Sequence, residues 1–151
     1  MHIEVINDIA QMDADQWNAL VQVNSTHTVY QTYEFNQVAQ EVYGRKNGSF
    51  ILCVKDNGKL IAVFPLMHSI KQGGRALQFM AQERSDYCDI ICPQGQEDVL
   101  NLVWKFIFSR RNEWDFINLV NVPLNSSLWI QKHYRRKIKQ KLLLVLLSLR
   151  R

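Results

Sequence analysis

Two short polar breaks constrain this chain more than any other feature. Asp56-Asn57-Gly58 and Gln72-Gly73-Gly74 each interrupt an apolar stretch, and each offers residues that tolerate the positive φ angles of a two-residue hairpin turn. The segments around them are strand-like: Ser49 to Lys55 and Lys59 to His68 are rich in Phe, Ile, Leu and Val, and Arg75 to Met80 follows. Three consecutive strands joined by tight turns must lie antiparallel. Pro65, within the second, cannot donate to a ladder and predicts an edge or a bulge there.

Helices are expected on either side of this meander. Asp13 or Asp15 can cap a helix carrying Trp17, Leu20 and Val21 at helical spacing. A second helix opens at Thr32-Tyr33-Glu34-Phe35 and runs through Val38, Ala39 and Val42 to Gly44, placed as a C-cap. Gln96 to Arg110 shows the clearest periodicity, with Val99, Leu100, Val103, Trp104, Phe106 and Ile107 on a wide apolar face. Ile3 to Ile6 and Asp115 to Val122, the latter ended by Pro123, read as further strands. The order β-α-α-β-β-β-α-β predicts an α/β (α+β) fold with a mixed, mainly antiparallel sheet flanked by helices.

Charge divides the chain in two. The net charge of +4 arises from residues beyond 131, because eight of the eighteen bases lie between Lys132 and Arg151 with no acid among them. Residues 1–131 hold ten bases against all fourteen acids, a net of −4. A nucleic-acid binder carries its basic residues on the folded domain, so that class is not expected. Residues 1–125 read as the folded lobe, and residues 126–151 as an atypical basic and leucine-rich tail. The abrupt loss of acids there also fits a change of reading frame between about Pro123 and Lys132. The run Leu142 to Leu149 is far short of the roughly 20 residues of a membrane-spanning helix. No signal peptide is visible at Met1 to Val5, and three cysteines (Cys53, Cys88, Cys92) make no disulfide framework, so a cytoplasmic location is expected.

The most concentrated polar cluster is Ser85-Asp86-Tyr87-Cys88-Asp89, in a loop after a strand. Two carboxylates and a phenol can orient an amine or hydroxyl and accept its proton. The same residues equally make a plain turn, with Ser85 and Asp86 closing on backbone amides. Cys88-x-x-x-Cys92 is at most half of a zinc site, His68 and Cys53 are isolated, and no metal is expected. A Cys88–His68 nucleophile pair has no local support. His2 and His27 read as surface residues; Trp17, Trp104 and Trp114 read as core. Gln72-Gly73-Gly74 joins strands and does not open a helix, so it is no phosphate loop.

Four stretches, in this order and spacing, resemble the GNAT superfamily of acyl-CoA-dependent N-acyltransferases: Tyr30 to Phe35, Gly58 to Leu66, Phe79 to Asp89 with its Ser-Asp-Tyr-x-Asp, and Trp114 to Leu119. The nearer likeness is to the two-lobed, Fem-like branch associated with cellulose and exopolysaccharide biosynthesis, over roughly residues 1–125. The resemblance implies acetyl-CoA or another acyl-CoA as co-substrate of an intact enzyme, with a small-molecule or sugar acceptor. In that superfamily a Gln/Arg-x-x-Gly-x-Gly/Ala turn before the third helix holds the CoA pyrophosphate. Gln82 to Gln96 lacks the pattern, as expected of a degenerate N-terminal lobe, so no cofactor is expected in this chain. On this reading the chain is a truncated, incomplete lobe, inactive as an isolated acetyltransferase. Ser85, Asp86, Tyr87 and Asp89 would then shape the acceptor side, and no catalytic residue is assigned. Unpaired strand edges and the leucines predict self-association. The alternative is a non-enzymatic interaction module with a basic C-terminal tail.

Overall fold

The computed structural model describes residues 1–24, 26–44, 48–129 and 145–149. The basic stretch Lys132 to Lys141 lies outside the described residues. The elements are β1 (His2–Ile6), α1 (Ala14–Val23), α2 (Tyr33–Ala39), β2 (Ser49–Asp56), β3 (Lys59–Lys71), β4 (Gly74–Phe79), α3 (Glu97–Ser109), β5 (Phe116–Val122) and β6 (Val145–Leu149). The fold is mixed α/β, and its six strands form one sheet in the order β1-β2-β3-β4-β5-β6, antiparallel from β1 to β4 and parallel at β4–β5 and β5–β6. β6 lies in the leucine run.

The turns behave as their residues dictate. Asn57 and Gly58 have φ of 48° and 80°, Gln72 and Gly73 of 50° and 78°, each pair closing a two-residue hairpin. β3 is a central strand of 13 residues, so Pro65 is not on an edge, and the register shift in its ladder falls elsewhere, between Val54 and Lys55. Pro65 sits where β3 changes partner. Its carbonyl accepts from Met80 N at 2.9 Å at the end of β4, while Val63 pairs with Ile91 through two bonds of 2.8 and 2.9 Å. By strand alternation, the missing N–H faces this break, where no ladder bond is lost.

Both faces of the sheet are covered. Phe50, Leu52, Val54, Phe64 and Leu77 pack with Val99, Leu100, Val103, Trp104 and Ile107 of α3. Ile51, Cys53, Val63 and Met67 pack on the opposite side with Trp17 and Val21 of α1 and Ala39 of α2. Burial of each large side chain contributes about 1.5–3 kcal/mol, so α3 is held by packing more than by its own propensity. Trp17, Trp104 and Trp114 are all core. The Trp17 indole N–H donates to the Gln31 carbonyl at 2.8 Å, and Asn18 ties α1 to α2 by accepting from Tyr33 N at 2.9 Å. Asp13 caps α1.

The second helix departs from its sequence pattern. After Ala39 the chain winds into a π-helical turn, Gln40–Gly44, which rotates the face. Val38 and Val42 are 58% and 59% exposed, and not core. Gly44 is not a left-handed C-cap either. A Cβ there would lie 2.9 Å from Gln40 Cγ and 3.1 Å from Ser49 Oγ, so glycine is present for close approach.

Candidate functional site

The slot that β4 occupies is taken up again beyond its end at Phe79. Residues 80–87 leave the sheet, and residues 88–91 return to the same slot between β3 and β5. Three observations establish this. Ile91 pairs antiparallel with Val63 on β3, Cys88 N donates to Asn121 O on β5 at 2.9 Å, and the side chains alternate. Cys88, Ile90 and Cys92 join the α3-side core, whereas Ile91 joins the α1–α2 side. The polar cluster thus straddles the end of an eight-residue excursion, residues 80–87, and the re-entry of the chain into the sheet.

Side chains on several elements hold the excursion. Ser85 Oγ donates to the Ala81 carbonyl at 2.6 Å, and Gln82 Oε1 accepts from Phe79 N at 3.2 Å. The Asn121 amide donates to the carbonyls of Ser85 at 2.8 Å and Gln82 at 3.4 Å. Asn121 adopts φ 61°, a left-handed conformation that asparagine tolerates better than most residues. From the helical side, Tyr30 donates its hydroxyl proton to Asp86 Oδ2 at 2.8 Å, and Arg84 Nε donates to the Tyr43 hydroxyl at 2.9 Å.

The four residues singled out in sequence do not share one surface. Ser85 and Asp89 are buried; Asp86 and Tyr87 are exposed. Asp89 points between distant segments: Thr26 Oγ1 donates to Oδ2 at 2.8 Å, Ser126 Oγ to Oδ1 at 2.6 Å, and Ile90 N to Oδ1 at 2.8 Å. Ser126 Oγ in turn accepts from Leu128 N at 3.0 Å. Burial pushes the Asp89 carboxyl up to about 6 even though the Ser126, Thr26 and Ile90 donors all favour its charged form. That value suits a general acid or base, but both carboxylate oxygens are already engaged in a buried cross-link, Oδ1 by Ser126 and Ile90 and Oδ2 by Thr26. Asp89 and Cys88 border a void of about 10 Å³ with Tyr30, Gln31, Asn36 and Ala81, room for one water and not for an acceptor molecule.

The thiols are inert in this arrangement. Burial pushes Cys53, Cys88 and Cys92 up to about 12, and all three are free of disulfides. Among the described residues no cluster of three or more His, Cys, Asp or Glu side chains can hold a metal ion. His68 packs against Phe50 on β2, with ring centroids 5.0 Å apart, and its pKa is lowered, burial outweighing the nearby Glu113 carboxylate. The start of α3 carries Glu97 and Asp98 in its first turn and no side-chain cap at Gln96. These carboxylates occupy the positive end of the helix dipole and repel an incoming pyrophosphate.

Sequence reasoning missed Asn121, Thr26 and Ser126. The period-two pattern Cys88, Ile90, Cys92 was a usable sign that Asp89 faces inward from a strand. No helix among the described residues is long and apolar enough to cross a membrane. No protein-family model, no curated protein and no solved structure matches the chain.

Proposed function

We propose that this chain is the N-terminal, non-CoA-binding lobe of a GNAT-type acyltransferase whose intact form moves an acyl group from acyl-CoA to an amine or hydroxyl, in polysaccharide biosynthesis. The observation that carries the reading is connectivity: four antiparallel strands, then a crossover through α3 to a parallel β5, with β4 interrupted beside it. The absence of CoA binding rests on two features. The strands part after Gln78↔Asn118, but the excursion fills the gap and Cys88 closes it on Asn121. The acidic first turn of α3 disfavours phosphate. In the intact enzyme the exposed Asp86 and Tyr87 would contribute to the acceptor side. Three buried free thiols suit a reducing, cytoplasmic setting.

Two measurements test this. Calorimetry of the chain with acetyl-CoA should give no saturable heat, and tight binding would remove the claim of a non-binding lobe. The DNA beyond codon 125 should encode a second lobe in another frame, and restoring that frame should yield acyl-CoA-dependent transfer. No such lobe in any frame sinks the half-enzyme reading.

A further inference from the structure

The two hairpin turns of the sheet share one backbone conformation and differ in a single side chain. Asn57-Gly58 has φ of 48° and 80°, Gln72-Gly73 of 50° and 78°, and all four residues are exposed. Each is a two-residue loop closed by one ladder pair, Asp56↔Lys59 or Lys71↔Gly74, so the N–H of the second loop residue lies outside the ladder. Gly58 N has no acceptor among the described residues. Nothing is packed at this tip either, since a Cβ built on Gly58 meets no atom within 4 Å. Lacking a side chain, glycine also leaves the peptide unit between residues 57 and 58 free to rotate. The Asn57 carboxamide therefore has an unengaged backbone nitrogen next to it, placed to close a five-membered ring. The same dipeptide recurs at Asn47-Gly48; Asn47 lies outside the described residues, and Gly48 N is engaged, donating to the Gly44 carbonyl at 2.8 Å.

We infer that Asn57 is a site of spontaneous covalent modification, deamidation through a cyclic imide formed with the backbone of Gly58. Hydroxide removes the Gly58 amide proton, the nitrogen attacks the Asn57 carboxamide carbon, and the side-chain carbon–nitrogen bond breaks to release ammonia. Water then opens the imide at either carbonyl. Opening at the side-chain carbonyl leaves aspartate at 57; opening at the main-chain carbonyl leaves isoaspartate, with the chain running through the former side chain. Gln72 is spared, because its extra methylene demands a six-membered ring that closes far more slowly. Either product adds a carboxylate next to Asp56, whose own carboxylate pairs with the N-terminal ammonium at 3.4 Å. Isoaspartate also lengthens the loop by one backbone atom, which the closing pair Asp56↔Lys59 absorbs only by loosening. The tip of this hairpin and, through Met1, the edge strand β1 are the parts of the fold that such ageing weakens. None of this chemistry involves an acyl group or CoA.

The test incubates the full folded chain in warm, mildly alkaline buffer and follows its peptides by mass spectrometry. The peptide holding Asn57 should gain the mass of an amide-to-acid exchange, resolve into aspartyl and isoaspartyl forms, and convert faster as pH rises. The Gln72 peptide should stay unchanged. Asn57→Gln gives this turn the dipeptide of the other hairpin, so it should keep the fold and abolish conversion at 57. Gly58→Ala should slow conversion several-fold. In the aged chain, amide exchange at residues 54–60 should run several-fold faster than in the fresh one. No conversion at 57 in the folded chain, even where a guanidinium-unfolded sample converts, would overturn the inference. So would conversion of Gln72 at the same rate, or an aspartyl product with no isoaspartyl form beside it.

Discussion

Asp89→Asn should change the pH dependence of stability in a direction opposite to that of most carboxylates. The Asp89 carboxyl is raised from its ordinary 3.8 to about 6, so the folded state holds its proton more tightly than the unfolded chain does. Its contribution to stability is fully present below pH 3.8 and is lost as pH rises through 6. The whole displacement corresponds to about 3 kcal/mol at about 1.36 kcal/mol per pKa unit. Integrating between about pH 4 and about pH 7.5, most of it disappears. The asparagine of the variant does not titrate, so it makes no such pH-dependent contribution. Its carbonyl oxygen can keep the bonds from Ser126 and Ile90, and the Thr26 hydroxyl can turn to accept from the new amide.

The measurement is urea unfolding of both chains across that pH range, followed by fluorescence of the buried Trp17, Trp104 and Trp114. The difference between the chains cancels the exposed carboxylates Glu4, Asp8, Asp13 and Asp115. Their pKa values are lowered, and they act with the opposite sign, losing stability as pH falls. Asp89→Asn should gain on the natural chain by about 2–3 kcal/mol from acid to neutral pH. A difference that stays flat with pH would refute the reasoning, since Asp89 would then ionise as an ordinary carboxylate. A difference of reversed sign would mean that its three donors outweigh its burial.

Other perturbations probe other joints of the fold. Gly44→Ala places a methyl 2.9 Å from Gln40 Cγ and should lower stability by about 1–3 kcal/mol, read as a reduced melting temperature. Asn121→Ala removes two bonds that hold the excursion and puts alanine at φ 61°; faster amide exchange at residues 82–88 should accompany a loss of about 1–3 kcal/mol. Iodoacetamide at pH 8 should leave all three cysteines unmodified in the folded chain and alkylate all three in urea, as counted by mass spectrometry.

The features legible in sequence are those whose cause is local. Asn57-Gly58 and Gln72-Gly73 announce hairpins because positive φ is a property of two residues, and Asp13 announces a helix because a cap acts within one turn. Val38, Val42 and Gly44 misled for the converse reason. A single π turn changes which residues face the sheet, and nothing in Gln40 to Gly44 marks that the winding will change. Pro65 was informative about a missing donor but not about where the partner strand lets go, since that depends on residues 80 and 91. Asp89 lies furthest from local reading: its side-chain donors are 63 and 37 positions away.

That distance explains why the polar cluster invited a chemical reading the structure distributes differently. Ser85 to Asp89 combines two roles because it straddles the point where an excursion re-enters a strand. Residues before the re-entry are anchored through their main chain by Asn121, so Asp86 and Tyr87 remain at the surface. Residues after it obey strand alternation, so Asp89 must turn inward opposite Cys88 and needs its own donors to be tolerated. An active-site carboxylate with a pKa near 6 and a structural one are thus distinguished here by what reaches the oxygens. At Asp89, Thr26, Ser126 and Ile90 have taken the places a substrate would need. On the proposed acyltransferase reading, Asp86 and Tyr87 are the members of the cluster left exposed to meet an acceptor. On that reading Tyr87→Phe, and not Asp89→Asn, should alter transfer in a restored enzyme while leaving the fold intact, whereas substitution of Asp86 also removes the bond from Tyr30 that holds the excursion.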